Sequence, residues 1–192
     1  IGIFSQDQWT MRKLTLNLGV RFDYISGWDP EQSAEAGTFV PARTFPLTKN
    51  LPNFKDVTPR FGVAYDVFGT GKTAVKASLG KYLSPVGPGT AFAVNPAAAL
   101  VTNANRTWAD ANGNYVPDCV LASRAANGEC GAIDNAAFGT VRTTTSYADD
   151  VLTGLGNRSY NWSGSASVQH ELRPGFAMEV AYYRRWFGNF TV

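Results

Sequence analysis

Period two governs this chain. Leu14, Leu16, Leu18, Val20, Phe22 and Tyr24 alternate with Thr15, Asn17, Gly19, Arg21 and Asp23. Successive side chains of an extended strand leave on opposite faces, so this segment carries one apolar and one polar face. Tyr160, Trp162, Gly164, Ala166 and Val168 alternate in the same way with Asn161, Ser163, Ser165, Ser167 and Gln169. Weaker versions follow Phe61, Val63, Tyr65 and Val67, then Val75, Ala77, Leu79 and Leu83, then Phe176, Met178, Val180 and Tyr182. In the opening stretch, Ile1–Thr10, Ser5 and Asp7 fall in phase with Ile1, Ile3 and Trp9, which leaves its facing open. The pattern predicts six strands of roughly ten to thirteen residues, the length a tilted strand needs to cross a bilayer.

The connections alternate as regularly as the residues do. Met11–Lys13, Gly69–Lys72 and Arg173–Gly175 are hairpin-length turns, and the last two carry Gly or Pro-Gly. Between them lie two loops, 26–57 and 84–157, of about 30 and about 75 residues, far longer than connections in compact domains. Short turns at one end and long loops at the other mark the wall of an outer-membrane β-barrel, with turns toward the periplasm and loops toward the exterior. The expected fold is all-β, an antiparallel up-and-down meander of about six long strands within a larger transmembrane barrel. Six strands fall short of the smallest such barrels, at about eight, so residues 1–192 are expected to be part of a longer barrel domain.

Composition narrows the function classes. A net charge of +2 with scattered Lys and Arg gives no electrostatic footprint for nucleic acid. No run of 18 apolar residues offers a transmembrane helix. Trp9 and Phe176 stand near the turn ends, and Tyr24, Trp28, Tyr82, Tyr160, Trp162 and Trp186 near the loop ends. Rings at both headgroup levels are expected of a barrel that meets outer-membrane lipid.

Particular residues carry a family resemblance. Ser5-Gln6-Asp7-Gln8-Trp9 followed by Leu14–Tyr24 resembles the barrel of TonB-dependent outer-membrane receptors, as do Thr58–Asp66 and Lys72–Tyr82. Asp118-Cys119, Gly128-Glu129-Cys130-Gly131 and Tyr182–Phe190 are similar to the subgroup with a carboxypeptidase-regulatory-like domain ahead of the plug. The resemblance implies a barrel of about 22 strands filled by a plug and driven by the TonB complex of the inner membrane. The remaining strands, the plug and the TonB-contact segment would lie outside these 192 residues. The ligand, expected to be a bulky nutrient, is not specified by the resemblance.

Several motifs invite chemistry and fail on spacing. Gly69-Thr70-Gly71-Lys72-Thr73 ends like a phosphate loop, but Asp66 stands where the first glycine belongs and a strand follows instead of a helix. His170-Glu171 lacks a second His, so no zinc-protease pair exists. No catalytic constellation emerges, and no enzyme activity is expected. Cys119 and Cys130, the only cysteines, lie in the long loop and predict a disulfide in an oxidising compartment, with free thiols as the alternative. Asp110, Asn112, Asn114 and Asp118 place oxygens at positions one, three, five and nine of a calcium-type loop. Tyr115 and Leu121 replace the usual Gly and Glu, so an Asn-Gly turn without an ion is the competing reading. Arg106, Trp108 and Tyr115 are the expected ligand contacts on the exterior face. Two rivals to TonB-energised uptake are a passive porin or adhesin barrel, and a secreted sheet module.

Overall fold

The computed structural model describes residues 1–148 and 150–190. In chain order its elements are β1 (Gly2–Met11), β2 (Leu14–Asp29), β3 (Gln32–Ala34), β4 (Arg43–Phe45), β5 (Thr48–Asp66), β6 (Thr73–Leu83), α1 (Pro88–Val94), β7 (Arg106–Trp108), β8 (Cys130–Ile133), β9 (Thr153–Leu155), β10 (Tyr160–Arg173) and β11 (Phe176–Gly188). The six long strands β1, β2, β5, β6, β10 and β11 are neighbours in that order in one sheet, so the meander follows the sequence. Two units divide the chain. One is this wall, Ile1–Ser26, Pro52–Val86 and the segment from Tyr147 onward; the other joins Gly27–Leu51 to Gly87–Ser146.

Each short turn has a local cause. Between β1 and β2, Arg12 takes the left-handed conformation at φ 50°. Between β10 and β11 that position falls to Gly175 at φ 79°, which a glycine adopts without steric cost. At the third turn the Asp66 carboxylate accepts from the Gly69 and Gly71 backbone N–H groups at 2.9 and 2.8 Å. The residue that spoils the phosphate-loop motif is therefore the one that ties the hairpin.

Register assigns the faces, because directly paired residues of a ladder share one. Ile3, Ser5, Asp7, Trp9 and Met11 stand opposite Phe22, Val20, Leu18, Leu16 and Leu14. That settles β1: its odd residues join the apolar face, Asp7 included. The Asp7 carboxylate is capped there by the Gln8 N–H at 2.8 Å and by the Trp9 indole N–H. Across the sheet Val75 meets Val168, which meets Val180, while Lys76 meets Ser167 and Ser78 meets Ser165. Val20, Val75, Val168 and Val180 are each 40% exposed or more. An apolar face left open by the protein is what a lipid-facing wall requires. The opposite face carries the Ser78–Ser165 hydroxyl bond at 2.7 Å, the Lys76–Gln169 bond at 2.6 Å and the Arg21–Asp23 ion pair at 2.8 Å. Tyr82 corrects the ring pattern. It stands opposite Asn161 on the polar face, under the Arg60 guanidinium at 5.0 Å.

The long connections are not structureless. β2 and β5 run 16 and 19 residues, so the first loop shrinks from the predicted 26–57 to residues 30–47 and contains the β3–β4 hairpin. The pattern failed there because apolar Phe54 shares the polar face with Asp56 and Thr58, while Lys55 shares the apolar face with Val57, so polarity stops alternating with the backbone. The predicted loop 84–157 holds α1, β7, β8 and β9.

The last of these is a strap on the wall. β9 pairs parallel to β5, Asn53 through Lys55 against Thr153 through Leu155. Hydrogen bonds from Asn53 N–H to Leu152 O and from Gly156 N–H to Lys55 O, both 2.8 Å, close its two ends. Phe54, Leu152, Asp56, Thr58 and Arg158 are buried at this place, which makes it the packed core of the wall unit. Within it Arg158 Nε lies 3.2 Å from Asp56 Oδ2. Removing one member of a buried pair strands the other charge.

Two measurements check this account. Val168→Arg places a charge on the lipid face at a cost of about 2–4 kcal/mol near the midplane and should abolish stable insertion. Ser167→Arg, on the polar face, should leave heat-resistant folding in gels intact. Arg158→Ala should destabilise the strap by about 3 kcal/mol and speed chymotryptic cleavage after Leu152 and Leu155. Replacing Asp56 and Arg158 together by leucines should restore much of the resistance.

Candidate functional site

The second unit is built around one strand pair. β7 and β8 lie antiparallel, with Arg106 opposite Ile133 and Trp108 opposite Cys130. Cys119 and Cys130 form the predicted disulfide, with Cα atoms 5.8 Å apart and a separation of 11 positions in sequence. Closing a loop of that length restricts the unfolded chain by about 3 kcal/mol. Such a staple suits a unit in which few side chains are buried, Cys130 and Phe45 among them.

Arg106 is a structural side chain in this unit. Its guanidinium donates to the Gly131 and Ala125 carbonyls at 2.7 Å, to Leu121 O at 3.4 Å and to Ser123 O. It thereby ties residues 121–125 to β8. Two other arginines work alike: Arg43 donates to Gly139 O at 2.7 Å and Arg124 to Phe138 O at 2.6 Å. Phe39 and Phe138 meet edge to face at 6.3 Å. With Ala104, Leu121 and Ile133 they line an apolar cavity of about 290 Å³.

Asp110, Asn112, Asn114 and Asp118 do come together. The Asp110 carboxylate accepts from the Gly113, Asn114 and Tyr115 backbone N–H groups at 2.8, 3.2 and 2.9 Å. The side-chain amides of Asn112 and Asn114 both donate to Asp118 Oδ2, at 2.5 and 3.0 Å. A calcium ion would need both amides turned to present oxygen and Asp110 released from the backbone. Among the described residues no three His, Cys, Asp or Glu side chains converge into a metal-binding group. As arranged, these four residues cap a turn in which Gly113 and Tyr115 have positive φ.

Sequence reasoning missed Glu129, the residue that knits the site. Its carboxylate accepts from Ala111 N–H at 2.8 Å, and from Asp118 N–H and the Trp108 indole at 3.3 Å. It stands beside Cys130 in the chain, but nothing in the spacing shows that it reaches back across 11 and 18 residues. Those donors, the Ala111 N–H first, hold its pKa below the usual carboxylate value. Asp134 is lowered in the same way by the backbone and side-chain N–H groups of Asn105. Of the expected contact residues, Trp108 is 43% and Tyr115 86% exposed. The site thus offers two accessible rings on a hydrogen-bonded, disulfide-closed frame. His170, at the turn end of its strand, bonds the Thr73 hydroxyl at 2.8 Å.

An antiparallel wall with one open apolar face, one polar face and long loops at one end defines a transmembrane β-barrel. Residues 1–184 match the family described as an outer membrane beta barrel domain, and the chain belongs to it. Its place is the bacterial outer membrane. Neither the curated proteins nor the solved structures gave a match.

Glu129 gives the unit a pH dependence of definite sign. Its stabilisation is complete above the ordinary carboxylate pKa of about 4.3 and is lost as pH falls through the lower value of the folded state. Hydrogen exchange, corrected for intrinsic rates, should show the Ala111 and Asp118 amides losing protection as pH falls below the ordinary carboxylate range. Glu129→Gln should weaken their protection at neutral pH and remove the acid step.

Proposed function

We propose that this wall and its loops belong to a receptor that takes up a bulky nutrient across the outer membrane with energy supplied through TonB. The observation that carries the reading is the second unit. Residues 87–146 have their own strand pair, disulfide and carbonyl-bound arginines, far more order than a connection needs. Loops that are built rather than merely long are where barrels and other scaffolds keep ligand recognition. The resemblance of Ser5–Trp9, Leu14–Tyr24, Thr58–Asp66 and Lys72–Tyr82 to TonB-dependent receptors supports the energy coupling.

In this reading Trp108 and Tyr115 touch the ligand on the cell exterior, and Arg106 acts by holding the shelf that carries them. Rigid rings present large contact area at small entropic cost, and they suit many bulky polar ligands. The protein would carry out no reaction of its own. Its partners would be lipid, the rest of the barrel with its plug, and the TonB complex.

The test uses the full-length protein in living cells. Replacing residues 87–146 by a short Gly-Ser linker should leave the barrel in the outer membrane and bring uptake of the native nutrient to background. A protonophore, or deletion of TonB, should stop uptake in the unaltered protein. Uptake that continued without the proton gradient would assign the barrel to the passive porins instead.

A further inference from the structure

We propose that the polar face of the wall carries an oxyanion site built on Arg60, which takes the carboxylate or phosphate of a small polar solute. The site is a depression of about 500 Å³ lined by Gln6, Gln8, Asn17, Gly19, Arg60 and Gly62; Asp7 also belongs to the lining, but its register opposite Leu18 puts its carboxylate on the other face. Its floor is bare backbone. A Cβ built on Gly19 would stand 3.7 Å from Gln6 Cβ and 3.9 Å from Arg60 Cβ, and one on Gly62 would stand 3.5 Å from Asn17 Cβ. The glycines therefore sit between the side chains that form the rim. On the other flank Arg60 is paired with Gly80, and the Tyr82 ring fills the space over that glycine: a Cβ built on Gly80 would stand 3.1 Å from Tyr82 Cε2.

Arg60 is the cation that lines this depression. Two ion pairs are seen among the described residues, Arg21 with Asp23 at 2.8 Å and Arg158 with Asp56 at 3.2 Å. Arg60 has no such partner. Its guanidinium lies instead over the Tyr82 ring at 5.0 Å. Stacking occupies the face of the guanidinium and leaves its N–H edge for a planar, two-oxygen acceptor. Three carboxamides, Gln6, Gln8 and Asn17, add donors and acceptors for the polar remainder of the solute. The polar face of an outer-membrane barrel lines its interior, so a solute in transit would meet this depression. That placement rests on the transport reading above, with this part of the wall left uncovered by the plug, and is independent of how the transport is energised.

Arginine-selective labelling of the full-length protein in detergent tests the site. Phenylglyoxal modification of the peptide holding Arg60 is followed by mass spectrometry, with inorganic phosphate, citrate, neutral sorbitol or sodium chloride of matched ionic strength. For a dissociation constant of about 1 mM, 10 mM phosphate should slow labelling of Arg60 about tenfold. Citrate should protect likewise, sorbitol and chloride should not, and turn residue Arg12 should label at one rate throughout. Tyr82→Ala and Asn17→Ala should each weaken the protection while the barrel stays folded in gels. Equal labelling with and without phosphate would overturn the proposal. So would an Arg60 that resists labelling in the absence of anion, since another part of the protein would then cover it. Both failures are distinct from a failed uptake reading, which the protonophore experiment decides.

Discussion

Hydrocarbon offers a backbone no water, and that single restriction organises this protein. Each N–H and C=O that crosses the bilayer must find its partner in the protein, because an unpaired one costs several kcal/mol. An antiparallel ladder between sequence neighbours meets the demand with the shortest connections. The β1–β2, β5–β6, β6–β10 and β10–β11 ladders all have this form. Once the ladder is fixed, the side chains have only two faces to choose from. The alternation of Leu14 through Tyr24 is that choice written into the sequence.

The same restriction inverts the usual meaning of burial. Val20, Val168 and Val180 are exposed by the protein and covered by lipid, whereas Asp56 is completely buried by the protein. Apolar contact thus holds the wall in the membrane, and polar contact holds the parts of the protein to one another. The strap shows the second kind, with Asp56 and Arg158 enclosed beside Phe54 and Leu152. Asp7 shows the limit of the first. It keeps a carboxylate on the apolar face by spending it on Gln8 and Trp9.

What the sequence disclosed divides along this line. β2 and β10 were legible because their faces meet different solvents, and every residue between the turns reports which one it meets. The order of the strands and the sites of the turns followed. β5 before Val57 was illegible because the strap pairs with Asn53 through Lys55 and buries Phe54 on the polar side of the strand, so tertiary contact overrides polarity. β9 spans three residues, too few to show a period. Tyr82 was grouped with the lipid-facing rings because composition places a ring near a strand end without saying which way it points.

The loop unit was legible only where chemistry leaves one choice. Two cysteines can form one disulfide, and they do. The Asp110–Asp118 cluster was seen, but its partner Glu129 was not, since a carboxylate that reaches back to Ala111 and Asp118 leaves no periodic trace. Arg106 looked like a ligand contact because an arginine beside aromatic residues is common at binding surfaces. Its guanidinium is instead spent on the carbonyls of residues 121–131, a role that depends on a chain path no spacing rule encodes. A wall held by ladder and lipid constrains its residues continuously, strand after strand. The loop unit is held by a disulfide, a few arginine clamps and one knitting carboxylate, and it leaves most other positions free. An exposed side chain such as Tyr115 therefore bears no trace of its use in the pattern around it, and for that reason the family's fold was readable here and a ligand was not.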